Sequence, residues 1–275
     1  MTPAACPEGF AVERCGRGFL YARPELLGAL RDIGLTGTER WSELLTQSSA
    51  GPGRGATARL ELPGGPRVVL KKMRRGGLTA RLWHDRFPGR RRLVANLTLP
   101  AEAARRGIPT PAAVALLLRP DALGAYEGWL MTEELEGARD LLAILRAGSP
   151  ARGMLTAVMA AVRGMHDRGL DHPDLNLANL VVRVSEGGHH VFVIDLDRAR
   201  LVRGALGYRG RLSAIRRIER SYLKNFGEEG PLGPDAGHVW YATYAGGDGE
   251  LARRLEASRR AGRVWLELHR LGWKR

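Results

Sequence analysis

Two short polar stretches sit between apolar runs in the second half of the chain. "HPDLNLAN" (172–179) comes before "LVV", and "DLD" (195–197) comes after "VFVI". Together they set His172, Asp174, Asn176, Asn179, Asp195 and Asp197 in a fixed order. Carboxylate and amide oxygens are hard donors that suit Mg²⁺. A carboxylate on a loop can also take a proton from a hydroxyl. The chemistry this set would serve is phosphoryl transfer from ATP. That reaction needs an oriented acceptor, a proton acceptor, metal ions on the phosphate oxygens and a cation on the phosphates that stay behind. Turn chemistry explains an Asp or an Asn singly, but not the ordered set.

The first half offers the remaining parts. "GPGRGAT" supplies Gly51, Gly53 and Gly55, whose backbone could approach phosphates closely, although a hairpin turn accounts for it equally. "VVLK" ends in Lys71 on an apolar strand, with Lys72 the alternate. An edge-strand charge is the plainer reading of either lysine. His172 is expected to brace its loop by hydrogen bonding, and His189 and His190 to lie exposed in a glycine-flanked turn. "DLD" also resembles the D-x-D of metal-dependent glycosyltransferases, a reading opposed by the upstream H-x-D-x-x-x-x-N.

The pattern predicts the elements that carry these residues. Short amphipathic helices are expected at 24–33 and 38–46, and antiparallel strands at 57–62 and 67–72 around "LPGGP". Residues 91–106 read as a helix that Pro100 should kink or split. "PAAVALLL" (111–118) and "GWLMTEE" (128–134) read as further strands. Beyond residue 140 the spacing of Met154, Leu155, Val158, Met159, Val162 and Met165 is helical. That helix is expected to be capped by Ser149, with Pro150 in its first turn, and to stop at Gly169. Two short strands flank "SEGGH", and 209–225 and 247–270 read as helices. The fold class is α+β. Residues 1–135 should form a sheet-rich unit with a helical N-terminal extension, and 136–275 a mainly helical one, with a cleft between them.

Composition sets bounds. The chain has 275 residues, 44% of them hydrophobic and 26% charged, enough for a large core. No run approaches the roughly 20 apolar residues of a membrane span. The N-terminus shows no basic start before an apolar block, so a cytoplasmic protein is expected. Cys6 and Cys15 are read as two unpaired thiols. The net charge of +14 is almost all arginine, since Lys71, Lys72, Lys224 and Lys274 are the only lysines. It favours an anionic partner. Nucleic acid is not expected: there is no finger spacing and no aromatic-basic surface motif of the usual kinds.

These residues resemble the protein-kinase-like superfamily. More narrowly, they resemble the lipopolysaccharide core kinases, which include 3-deoxy-D-manno-octulosonic acid (Kdo) kinase and the heptose kinases. "VVLKKMRRGG" (68–77) is similar to that family's third strand, and "RRGIPTPAAVAL" (105–116) to its Gly-x-Pro-x-Pro turn. "HPDLNLANLVV" and "VFVIDLDRARL" are similar to its catalytic loop and metal-binding strand, and "LSAIRRIERSYLKN" (212–225) to its late Arg-rich helix. The resemblance covers roughly residues 45–245.

The resemblance implies a two-lobed protein-kinase-like fold and the cofactors ATP and Mg²⁺. Asp174 would be the base, Asn179 and Asp195 the metal ligands and Lys71 the phosphate-binding lysine. Gly53 and Gly55 would belong to the phosphate-covering loop, and the backbone near Glu134–Glu136 would meet adenine. Asp197 replaces the glycine of protein kinases, as in the lipopolysaccharide kinases, and joins the metal set. Asn176 stands where Ser/Thr protein kinases place a lysine. Glu102, the only carboxylate in 91–106, is the candidate partner of Lys71, with Asn96 the alternative. Without an Ala-Pro-Glu activation segment, a small hydroxyl acceptor is favoured over a protein. The implied acceptor is a lipopolysaccharide precursor, Kdo-lipid A. The alternatives are another small hydroxyl compound, a Ser/Thr protein substrate, or an inactive kinase-like scaffold. A basic surface suits peripheral contact with the anionic inner-membrane face. For that contact, "GGLTARLWHDRFPGRRR" (76–92) interleaves Leu78, Leu82, Trp83 and Phe87 with arginines; the plainer reading is a solvated helix whose apolar residues pack on the sheet-rich unit.

Overall fold

A computed structural model describes residues 6–47, 56–74, 85–148, 150–151, 153–233 and 235–271, with side chains through 262. The chain divides into two compact units. One comprises Met1–Glu102 with Pro111–Leu135, the other Ala103–Thr110 with Glu136–Arg275. The segment 103–110, expected with the first unit, belongs to the second for local reasons. Val193 N–H donates to Pro109 C=O at 2.9 Å, and Arg106 Nη1 donates to Val202 C=O at 2.8 Å and Arg168 C=O at 3.2 Å.

The first unit is built on a six-stranded antiparallel sheet. Its strands are β1 (Ala11–Cys15), β2 (Gly18–Ala22), β3 (Thr57–Glu61), β4 (Arg67–Lys72), β5 (Ala113–Pro120) and β6 (Tyr126–Glu133), in the spatial order β1-β2-β5-β6-β4-β3. The expected N-terminal helices are α1 (Leu27–Asp32), entered through a short helical turn at Pro24–Leu26, and α2 (Thr38–Gln47). The extension is not only helical, however, because β1 and β2 form a hairpin that adds two strands at the β5 edge.

Both faces of this sheet are covered. On one, Leu20, Leu117, Trp129, Met131, Val68 and Leu70 pack with Leu30 of α1 and with Trp41 and Leu45 of α2. On the other, Tyr21, Leu116, Leu118, Leu130 and Met73 pack with Leu93 and Leu97 of α3 (Arg91–Arg105). Burial on two sides explains why "AVALLL" is continuously apolar rather than alternating. Pro100 does not split α3; it lies buried inside one helix. The lost hydrogen bond costs about 3 kcal/mol, and the tertiary burial of Leu93, Leu97 and the proline ring offsets it. Phe87 is 2% exposed in the same core, antiparallel to Tyr126, so it does not lie on a surface. Leu78, Leu82 and Trp83 lie outside the described residues.

The second unit holds α4 (Leu141–Arg146), α5 (Met154–Asp167), α6 (Tyr208–Phe226), α7 (Ala236–Ala245) and α8 (Gly249–Leu271). Its strands are β7 (Ala138–Asp140), β8 (Leu170–Asp171), β9 (Leu180–Ser185), β10 (Gly188–Val193) and β11 (Arg200–Leu201), paired in two small antiparallel sheets. Helix α5 starts later than expected. Its N-cap is Gly153 at φ 80°, so Pro150 precedes the helix, and Ser149 lies outside the described residues. Helix α7 was not anticipated. It buries Trp240, Tyr241 and Tyr244, and Tyr241 Oη donates to the buried Glu219 of α6 at 2.8 Å.

Gly169 ends α5 as expected, for two reasons. Its φ is +81°, and a Cβ there would lie 2.3 Å from Gly204 C=O and 2.7 Å from Val202 C=O. Gly169→Ala is expected to destabilise the protein by about 2 kcal/mol or more. A lowered urea midpoint at unchanged slope would show it; a midpoint equal to that of wild type would contradict this packing.

Candidate active site

In the second unit, helix α5 and strand β8 deliver the chain to His172. A loop then enters a short helical turn, Leu177–Asn179, and continues as β9. Asn176 shapes this loop. Its Oδ1 accepts from Ala178 N–H at 2.9 Å and caps the turn, while its Nδ2 donates to Asp174 C=O at 2.9 Å. Asn179 Nδ2 donates to the same carbonyl at 3.1 Å. Both amides therefore fix the backbone of Asp174, whose carboxylate remains 45% exposed.

The hairpin β9–β10 returns the chain to this loop. Ile194 N–H donates to Asn179 C=O at 3.0 Å, and Ile194 C=O faces His172 Nε2 at 3.1 Å. A carbonyl only accepts, so His172 carries its proton on Nε2. Burial pushes its pKa below the ordinary value, against the hydrogen bond to Ile194 and the charges of Asp195 and Asp174. The ring is 1% exposed and ties its loop to Ile194.

Pinning Ile194 on both sides sets Asp195 one residue from a group bonded to Asn179. Asp195 itself is left-handed, at φ 63° and ψ 55°. A non-glycine residue there is uncommon, and strain of this kind concentrates at functional sites. Asp197 follows in the helical turn Leu196–Arg198. Asn179, Asp195 and Asp197 together offer the oxygen donors that fit Mg²⁺. Among the described residues no cluster of three His, Cys, Asp or Glu stands ready for a metal.

Sequence reasoning missed the arginines around this loop. Arg198 Nη1 lies 3.3 Å from Asp174 Oδ1. Arg200 pairs with Asp171 at 2.8 Å. Ser221 of α6 accepts from Leu177 N–H at 3.4 Å, which lays that helix along the loop. The available signal was the run of Arg198 and Arg200 directly after "DLD", facing two aspartates earlier in the chain.

In the first unit the two lysines separate by strand alternation. Lys72 shares the α1/α2 face with Trp129; its Nζ is 2.7 Å from Glu127 Oε1 and 5.4 Å from the Trp129 ring centre. Burial of Glu127 works against its charge, but hydrogen bonds from Lys72 and Arg119 hold its carboxyl below the usual range. Lys71 falls on the opposite face, the one that α3 covers, beside Leu130 across the strand. Asn96 lies buried on the sheet-facing side of α3, donating to Arg92 C=O at 3.0 Å, and Glu102 is half-buried in the helix's last turns. Glu134 has its carboxylate between Arg59 (2.8 Å) and Arg67 (3.4 Å), and its N–H donates to Arg67 C=O. Glu136 opens the second unit's main segment. Gly53 and Gly55 lie outside the described residues.

An antiparallel unit with a strand-borne lysine, and a helical unit whose H-x-D-x-x-x-x-N loop is stitched to a strand ending in aspartate, define a phosphotransferase of kinase-like build. Comparison with known proteins narrows this. The model of the "Lipopolysaccharide kinase (Kdo/WaaP) family" matches residues 45–229, so the chain belongs to that family and is an ATP-dependent kinase. A 3-deoxy-D-manno-octulosonic acid kinase of Xanthomonas oryzae pv. oryzae is 34% identical over 229 residues, 79% of this chain and 86% of its own length. One from Haemophilus influenzae is 26% identical over 196 residues, 69% of this chain and 80% of its own. The solved structure "WaaP in complex with acyl carrier protein" aligns with TM-score 0.52 and 21% identity, over 84% of this chain and 95% of that one. No described helix is long and apolar enough to cross a membrane.

Proposed function

We propose that this kinase phosphorylates a hydroxyl of Kdo in the lipopolysaccharide inner core. The observation that carries the choice of acceptor is the 34% identity, over 79% of the chain, to a kinase named for that sugar. In this reading the first unit holds the nucleotide's phosphates and the second brings the acceptor. Asp174 takes the hydroxyl proton as the acceptor oxygen bonds to the γ-phosphorus and the bond to the β-phosphate oxygen breaks, releasing ADP. Asn179, Asp195 and Asp197 would hold Mg²⁺, which neutralises phosphate charge when bound. His172 and Asn176 keep the loop in shape. Lys71 would contact the phosphates that are not transferred, supported by Glu102 or Asn96. The Gly53 and Gly55 loop would cover them, and the backbone at Glu134 and Glu136 would receive adenine.

Mass spectrometry of Kdo-lipid A incubated with the protein, ATP and Mg²⁺ tests the reading. One phosphate gained on Kdo supports it; phosphate on another core sugar, or none, overturns it.

The lysines give a paired prediction. Lys71→Met is expected to weaken ATP binding about tenfold or more. Lys72→Met is expected to leave ATP binding unchanged and to cost about 1 kcal/mol in stability, through loss of the half-buried pair with Glu127. Titration calorimetry and denaturant melts separate the two, and the reverse pattern would exchange their roles.

Peripheral contact with an anionic membrane belongs to the same proposal, supported by the net charge of +14 and a lipid-borne acceptor. Flotation with vesicles containing acidic phospholipid should show binding that falls as salt rises. Equal flotation with neutral vesicles would oppose it.

A further inference from the structure

Several arginines lie beside Asp174, and all but one of those nearest it are answered by a carboxylate. Arg200 answers Asp171, and Arg198 answers Asp174. Arg217 has no such answer: its Nη1 is buried with no hydrogen-bond partner among the described residues. Arg217 lies one helical turn before Ser221 on α6, and Ser221 bonds Leu177 of the candidate catalytic loop. Positions four apart share a helix face, so Arg217 faces the same loop. Its burial disfavours the guanidinium charge; the fields of Asp171 and Asp174 favour it, and those of Arg220 and Arg198 oppose it. Asp195 and Asp197 follow at the end of the neighbouring strand, so what sets Arg217 apart is its own unanswered donor and not an excess of positive charge. A buried guanidinium donor without an acceptor is costly, and its planar fork matches a carboxylate.

We propose that Arg217, with Arg198, binds the carboxylate of an acidic sugar acceptor and so selects which hydroxyl is presented to Asp174. The proposal rests on the Kdo reading above and adds the residues that recognise the acid group. Arg198 exchanges part of its contact with Asp174 for the incoming carboxylate, which leaves Asp174 facing the acceptor hydroxyl. Neutral sugars lack the group that fills this corner and bind weakly.

The test compares wild type with Arg217→Gln and Arg217→Lys on three acceptors: Kdo-lipid A, the same compound with its Kdo carboxylates converted to amides, and the same compound with its lipid A phosphates removed. Arg217→Gln is expected to raise the KM for Kdo-lipid A roughly 30-fold, the scale of a lost charge-assisted pair, with ATP affinity and thermal midpoint near wild type. Arg217→Lys should recover part of that loss. On the amide acceptor, wild type and Arg217→Gln should have equal KM; on the dephosphorylated acceptor the 30-fold difference should persist. An equal loss on acid and amide acceptors would make Arg217 merely structural and overturn the proposal. A difference that vanishes only on the dephosphorylated acceptor would assign Arg217 to phosphate and also overturn it. Wild type that transfers phosphate to no Kdo acceptor would remove the Kdo reading and this proposal together.

Discussion

Asp174→Asn is expected to lower kcat roughly 10²- to 10⁴-fold, the usual worth of a positioned general base, while ATP affinity stays near wild type. Asparagine is nearly isosteric. The main-chain carbonyl of residue 174 would still accept from Asn176 and Asn179, at 2.9 and 3.1 Å, so the loop should hold its path. What disappears is a carboxylate able to take the proton. Turnover within tenfold of wild type would remove Asp174 as the base, and a matching loss of ATP affinity would place it in nucleotide binding instead.

Asp195→Asn is expected to lower kcat/KM roughly 10²- to 10³-fold, comparable to removing one preorganised electrostatic contact, and to weaken Mg²⁺-dependent ATP binding. The choice of asparagine matters. Residue 195 sits at φ 63°, where Asn is tolerated better than other non-glycine side chains. The backbone should therefore persist and the change should report on charge alone. Two readouts check it: the Mg²⁺ concentration giving half-maximal activity, which should rise, and ATP affinity with and without Mg²⁺. If Asp195→Asn binds ATP equally with and without the ion, as strongly as wild type does with it, the residue is no metal ligand.

The candidate catalytic stretches stood out in the sequence because their residues are local: His172, Asp174, Asn176 and Asn179 lie on one loop, and Asp195 follows an apolar strand. Strands β4 to β6 were legible for a similar reason, being largely apolar runs near Gly and Pro turns, and β3, "TARLE", through its alternation and the turn that joins it to β4. What escaped was set by tertiary packing. All five residues of β2, "GFLYA", are buried, so the hairpin shows no alternation to read. Helix α7, "AGHVWYATYA", is rich in aromatic residues and apolar on most sides because it packs against α5, α6 and α8. Pro100 carried a strong local signal for a break, and burial overrode it. Strand parity puts Lys71 and Lys72 on opposite faces, but which face α3 covers could be known only from the fold. The Arg-rich helix 212–225 stood out in the sequence, but nothing there distinguished Arg217 from its neighbours, because an unpartnered donor is a property of packing.

The grip on Ile194 has a consequence for how this chain can vary. Hairpin β9–β10 is anchored at its root, where Asn179 and His172 hold residue 194, whereas its tip at Ser185–Gly188 bears on neither. Extra residues spliced in after Gly187 would lengthen the connection without displacing either anchored end. That tip is therefore a natural place to graft a tag or fluorescent probe while sparing the machinery at the other end.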